Sequence, residues 1–346
     1  MAKSARPNPP SEANRGLTLD QILGNEPVRV GLRRAWRAGR LPQALLFTGP
    51  EGVGKTTLAW ALAREIAADG NDPETDPHAA KIARGVHPDM IELCGKESIS
   101  AMIRVDDIRE LEDRAATTPL EAPRKMALID PADRMNEAAA NALLKILEEP
   151  PRRLQLLLVS ADPHRLPTTI RSRCTPIQLE PVAVDELVPW LAARRVLAER
   201  EALLIATLAE GRPGLALRLA DSGYIEHRHE LLGALNALRK HGFAAVFKVA
   251  HQLVSTKAPL QESLTSLLTL LRDALVFKTR GEGVLNQDLV EPLAEFASRH
   301  PAEGLLEAAR YLEQVTPEAP YFYAAQARAQ FAECVATEIG MRLKGR

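Results

Sequence analysis

"QALLFTGPEGVGKTTLAWALAREIAA", residues 43–68, carries three signals in succession. A short apolar run closes at Gly49, which is the signature of a buried strand rather than a helix. GPEGVGKTT, residues 49–57, then fits the pattern GxxxxGK[ST] through Gly49, Gly54, Lys55 and Thr56. A new helix, KTTLAWALAREIAA, begins at once. In that context the pattern binds phosphate, because glycines let successive backbone N–H groups turn inward and the helix N-terminus adds its dipole. Lys55 is placed to reach terminal phosphates and the Thr56 hydroxyl to ligate Mg2+. Gly49, Gly52, Gly54, Lys55, Thr56 and Thr57 are therefore the candidate nucleotide-binding residues.

Three more apolar runs read as buried strands: DMIEL at 89–93, KMALID at 125–130 and LQLLLVS at 154–160. Between the last two lies NEAAANALLKILEEPP, a helix closed by Pro150 and Pro151. Strands separated by helices imply a parallel sheet covered on both faces, so residues 17–181 read as one α/β domain. After PIQLEP at 176–181 the strand signals stop. VDELVPWLAARR, EREALLIATLAE and GLALRLADSG read as three short helices over 182–222, and 223–346 as longer ones. The expected fold class is α/β followed by all-α. Residues 1–16, rich in Pro, Ser and Asn, read as a flexible arm.

Composition narrows the function classes. A net charge of −1 over 346 residues excludes a chain-wide polyelectrolyte for nucleic acid, so any DNA contact needs a local patch. One candidate is the stripe Arg29, Arg33, Arg37 and Arg40 on the helix EPVRVGLRRAWRA, which either tracks phosphates or is a solvated face. Three dispersed cysteines, Cys94, Cys174 and Cys334, give neither a disulfide framework nor a CxxC knuckle. No apolar run is long enough to span a membrane and the N-terminus has no signal-peptide core, so a cytoplasmic protein with no membrane partner is expected. No paired metal-binding carboxylates suggest polymerase chemistry.

Asp130, ending the KMALID run, has two readings that are compatible: a carboxylate directed at Mg2+ beside the phosphate loop, or a helix N-cap with Pro131 at the first helical position. GPEGVGKTT, IDPADRMNEAAANALLKILEEPP and DPHRLPTTIRSRC, in that order and spacing, resemble the AAA+ subunits of bacterial DNA polymerase III clamp loaders. The resemblance covers residues 17 to about 220 by motif, and the rest by length and helical character. It implies an AAA+ P-loop NTPase with a RecA-like parallel sheet over 17–181, a three-helix lid over 182–222 and a helical collar for oligomerisation over 223–346. It also implies ATP and Mg2+ as cofactors. The implied partners are other clamp-loader subunits of motor and delta type, the sliding clamp, and primed DNA through the assembled complex.

Departures from the motor subunits shape the expected role. Where they carry a water-activating Glu after the strand-end Asp, this chain has Pro131, which has no proton-accepting side chain. Asp133 and Glu137 lie nearby, off the family position. The lid position of the nucleotide-facing arginine aligns with Gly214, with Arg212 two residues away. The four cysteines of the family's zinc module have no counterpart. His78, His87 and Cys94 do not make a tetrahedral set and the histidines read as surface residues, so no zinc is expected. In SRC, residues 172–174, the resemblance makes Arg173 an arginine finger acting in trans on a neighbour's γ-phosphate; the alternative is an ordinary surface arginine. Sensor 1 falls at Ser160, with Ala161 the adjacent register. The expectation is a subunit with weak or absent ATPase of its own within the polymerase III holoenzyme. An active motor subunit of the same loader, or a P-loop small-molecule kinase or signalling NTPase, are the alternatives.

Overall fold

A computed structural model of the protein describes residues 15–94, 102–241, 243–254, 260–279, 283–316 and 325–343. Of the segment read as an arm, only Arg15 and Gly16 fall within them. The chain divides into two compact units, one of residues 7–190 with 210–215, the other of 191–209 with 216–346. The division passes through the segment read as the lid rather than along its edges.

The first unit is built on β1 (Ala44–Thr48), β2 (Met90–Cys94), β3 (Lys125–Asp130), β4 (Leu154–Ser160) and β5 (Thr175–Gln178). All five pair in parallel, in the order β2-β3-β4-β1-β5. The helices are α1 (Glu26–Arg37), α2 (Lys55–Ala68), α3 (Pro77–Ala83), α4 (Val105–Ala116), α5 (Glu137–Glu148), α6 (Thr168–Arg171) and α7 (Val184–Ala192). Alternation along each strand separates two cores. Leu45, Phe47, Met126, Leu128, Leu157 and Val159 pack with Leu58, Trp60, Leu62 and Ile66 of α2. On the other face Leu46, Ile91, Ala127, Ile129, Leu156 and Leu158 pack with Ile108 and Leu111 of α4 and Leu143 and Ile146 of α5. Because both faces are covered, the strands are apolar throughout instead of alternating with polar residues. Each fully buried Leu or Phe contributes about 1.5–3 kcal/mol.

The second unit is helical: α8 (Glu199–Leu208), α9 (Pro213–Asp221), α10 (Tyr224–His241), α11 (Phe243–Leu253), α12 (Leu260–Thr279), α13 (Val290–Ser298), α14 (Ala302–Val315) and α15 (Ala325–Arg342), with the start of α9 belonging to the first unit. Leu235, Leu267, Leu271, Phe296, Leu312 and Ile339 lie in its core. Fully buried Arg228 is neutralised there by Asp288 at 2.7 Å and bonded to Asn286, while buried Asp273 accepts from the Asn286 backbone at 2.7 Å. No described helix is long and apolar enough to cross a membrane.

One buried carboxylate fixes the approach to the sheet edge. Asp89, directly before β2, is fully buried and accepts from the backbone N–H groups of Leu120, Glu121 and Ala122 at 2.8, 2.7 and 2.8 Å. Burial pushes its carboxyl up, but these donors more than reverse that and hold it below the usual carboxylate range. A lowered folded pKa gives stability that is complete above the unfolded pKa and is lost as pH falls through the folded one. Asp89→Asn is expected to lower urea-unfolding stability at pH 7 by about 2–3 kcal/mol. The gap to wild type should close as pH drops below about 4.

Candidate functional site

The glycine loop leaves β1 at Thr48 and enters α2 at Lys55. Gly49 adopts φ +136, and a Cβ there would lie 2.5 Å from the Leu179 carbonyl oxygen, so only glycine fits. Gly52 meets the chain at Gly214, whose N–H donates to the Gly52 carbonyl at 2.8 Å. A Cβ on Gly214 would stand 3.0 Å from that same oxygen. The position aligned with a lid arginine is thus a backbone-to-backbone contact, and Arg212 pairs with Glu210 at 3.2 Å.

Lys55 is buried, and its Nζ donates to the carbonyls of Gly49 and Pro50 at 2.7 and 2.8 Å. Burial pulls its pKa down, against the charges of Asp130, Glu51 and Asp133. The Thr56 hydroxyl donates to Asp130 Oδ2 at 2.6 Å. Burial raises the Asp130 carboxyl above its usual range, opposed by Thr56 and Lys55. A hydroxyl and a carboxylate brought together here are the hard oxygen donors that suit Mg2+. Thr57 is half-buried in the first turn of α2. Ser160 is paired with Thr48 across β1 and β4, and its Oγ is buried with no partner among the described residues. Ala161 is exposed.

Asp130 does not cap a helix. Pro131 leads into a short 3-10 turn, Ala132–Arg134, and α5 begins later with Asn136 as its cap, accepting from the Ala139 N–H at 2.8 Å. Asp133 sits in that turn, and burial raises its carboxyl despite a bond from the Asp162 backbone. Its Oδ1 is buried without a partner among the described residues.

Arg173 lies at the other end of the sheet. Thr175 starts β5 opposite Leu45, near the start of β1, whereas the glycine loop follows the end of β1. A five-residue strand at roughly 3.3 Å per residue puts roughly 15 Å of sheet between them. The guanidinium donates from Nη1 to the Thr169 carbonyl at 3.1 Å and from Nη2 to Glu148 Oε1 at 2.8 Å. Cys174 beside it is buried, and burial pushes its thiol up to about 11, so it is an inert packing residue.

The basic stripe is largely occupied by internal partners. Arg29 donates to the carbonyls of Gly24 and Leu19 at 2.9 and 2.7 Å. Arg33 grips Asp20 with two bonds of 2.9 and 2.8 Å and reaches buried Glu65 at 3.2 Å. Arg37 lies 3.5 Å from Glu65, and Arg40 is exposed. Of the two readings of the stripe, phosphate tracking loses Arg29 and Arg33, because their donors are taken by the backbone of Leu19 and Gly24 and the carboxylates of Asp20 and Glu65.

The histidines also differ from expectation. His87 is buried and His78 half-exposed, so they are not both surface residues; the side chain of Cys94 falls outside the described residues. A ring nitrogen of each histidine and a Glu121 oxygen lie within 4.8 Å of one another, with His78 Nδ1 and His87 Nε2 at 3.3 and 3.8 Å from Glu121 Oε2. However, Lys81 already binds both Glu121 oxygens at 2.7 and 2.6 Å. The Asp89 N–H points at His87 Nδ1 at 3.1 Å, which leaves the proton of a neutral ring on Nε2, where a metal would have to bind. The group is an ion-pair cluster holding the start of α3 against the strand edge.

A glycine loop after β1, an acidic end on β3, a polar end on β4 and the order β2-β3-β4-β1-β5 define a P-loop NTPase of the AAA+ class. Residues 24–183 match the family model described as DNA polymerase III, delta subunit, and residues 222–318 that of its C-terminal part. The chain is 37% identical to DNA polymerase III subunit delta' of Pseudomonas aeruginosa, over 66% of this chain and 68% of that protein. It is 32% identical to the delta' subunit of Escherichia coli, over 79% and 81%. The chain belongs to the family of DNA polymerase III delta' subunits. Subunit tau of Escherichia coli is also similar, 34% identical over 59% of this chain, but the chain spans only 32% of its length. A gamma subunit-related protein from Thermotoga maritima aligns with 91% of this chain and 99% of its own at 19% identity and a TM-score of 0.41. The class rests on strand order and loop, not on that alignment.

Arg33→Ala leaves Glu65, 2% exposed, with only the long contact to Arg37 among the described residues. It is expected to cost about 1–3 kcal/mol in urea unfolding. Arg40→Ala should be neutral in the same measurement.

Proposed function

We propose that this chain is a delta'-type subunit of a clamp loader that binds ATP with Mg2+, hydrolyses it slowly or not at all, and lends Arg173 to the nucleotide site of a neighbouring motor subunit. The observation that carries the reading is a separation of parts. The position after Asp130 is Pro131, without a proton acceptor, and Arg173 lies at the end of the sheet remote from the chain's own glycine loop. An arginine so placed is remote from the chain's own nucleotide loop and open to solvent, where a neighbour's nucleotide can meet it. In this reading Lys55 exchanges its two carbonyl contacts for phosphate oxygens, backbone N–H groups of 51–54 hold the β-phosphate, and Ser160 faces the terminal phosphate. Thr56 and Asp130 would hold Mg2+, which neutralises phosphate charge when bound. Residues 182–222 act as the lid and 223–346 as the collar that joins the subunits. The ring, with its motor and delta-type partners, loads the sliding clamp on primed DNA in the cytoplasm.

A second reading, a subunit with its own turnover, is favoured by Asp133, whose charge acts on both Lys55 and Asp130 and which has a buried, unpartnered oxygen among the described residues. Steady-state hydrolysis and ATP binding measured on the purified chain separate the two. Binding without turnover is expected; turnover at ordinary motor rates that Asp133→Asn abolishes would establish the second reading instead. In the reconstituted loader, Arg173→Ala should cost the one site it serves a factor on the order of 10³. Total turnover should fall by that site's share, and an unchanged rate would remove the proposal.

A further inference from the structure

The guanidinium of Arg173 is folded back on its own subunit. Nη1 is taken up by the Thr169 carbonyl at 3.1 Å and Nη2 by Glu148 Oε1 at 2.8 Å. Glu148 is the last residue of α5, ahead of Glu149, Pro150 and Pro151, so the helix end sets where its carboxylate stands. Pro150 and Leu147 of the same segment line, with Pro42, Gln43 and Arg173, a cleft of about 130 Å³ beside the guanidinium. Both partners of the ion pair remain open to solvent, at 38% and 51% exposure.

We propose that Glu148 is a positioning residue that parks Arg173, acting as a resident counter-ion that a neighbour's γ-phosphate must displace. This rests on the reading of Arg173 as a trans-acting arginine. The physical basis is an exchange of one anion for another. To donate to phosphate, Nη2 gives up the carboxylate, and a triphosphate with its greater charge can win where a diphosphate, with no terminal group to offer, does not. An exposed pair is weak, shifting an equilibrium by no more than about fivefold, which biases the guanidinium without locking it. Glu148 therefore sets how often Arg173 is engaged when the ring is idle.

The test uses the reconstituted loader with this chain carrying Glu148→Gln, Glu148→Asp, Arg173→Ala or the double change Glu148→Gln with Arg173→Ala. ATP turnover is measured without DNA or clamp. Glu148→Gln is expected to raise turnover at the one site Arg173 serves about two- to fivefold, the range an exposed pair can supply, so that total kcat rises by that site's share of the gain with KM for ATP little changed. Glu148→Asp, which keeps a carboxylate, should restore the rate toward wild type. The double variant should match Arg173→Ala alone, since Glu148 acts only through that side chain. A Glu148→Gln rate equal to or below wild type, or an increase that persists without Arg173, would overturn the proposal. If Arg173→Ala itself leaves turnover unchanged, it is the trans-acting reading that fails.

Discussion

The parallel alignment of β1 between β4 and β5 is the constraint on which the rest of the first unit depends. Parallel strands end at the same edge of a sheet, so the glycine loop after Thr48, the Ser160 end of β4 and, one strand further, the Asp130 end of β3 converge by construction. The 2.6 Å bond from Thr56 to Asp130 then ties the first turn of α2 to the end of β3. The same alignment sends the start of β5, and Arg173 before it, to the opposite edge. One topological choice thus puts the glycine loop, Thr56 and Asp130 at one end of the sheet and Arg173 at the other.

What the sequence made legible follows from how local each signal is. ALLF, KMALID and LQLLLVS are strands because both faces of the sheet are covered, and an unbroken apolar run bounded by turn residues says so without any partner being known. The glycine loop carries its own context of strand and helix. The stripe from Arg29 to Arg40 was not decided locally, because its partners Asp20, Leu19 and Glu65 lie at separations no helical period reveals. Asp89 and Glu148 escaped for the same reason: one accepts from residues some thirty positions on, the other pairs with Arg173 across a strand and two short helices. Glu148 did leave a trace, a carboxylate at the end of a helix closed by two prolines, but only the fold brings it to the arginine.

The N-cap reading of Asp130 shows a second limit. Asp-Pro ahead of a helical pattern is a sound cap signal when the helix starts at the proline. Here a short 3-10 turn intervenes and Asn136 takes over the capping, which leaves the Asp130 carboxylate free to accept from Thr56. A carboxylate has acceptor sites enough for both roles, so it is the delayed start of the helix that removes the capping role here. The turn also carries Asp133 inward, where burial raises its carboxyl.

Two arginines of this chain illustrate what a movable cation requires. Arg228 in the helical unit is fully buried, and Asp288 and Asn286 hold it. Withdrawing it would strand a charge away from water at a cost of about 3–5 kcal/mol, so it can only be structural. Arg173 pairs with Glu148 at a similar distance, but water reaches both partners, and whatever the guanidinium leaves behind is solvated at once. Separating this pair therefore costs less than separating that of Arg228. Exposure, more than bond length, therefore distinguishes an arginine fastened into the fold from one free to change partners.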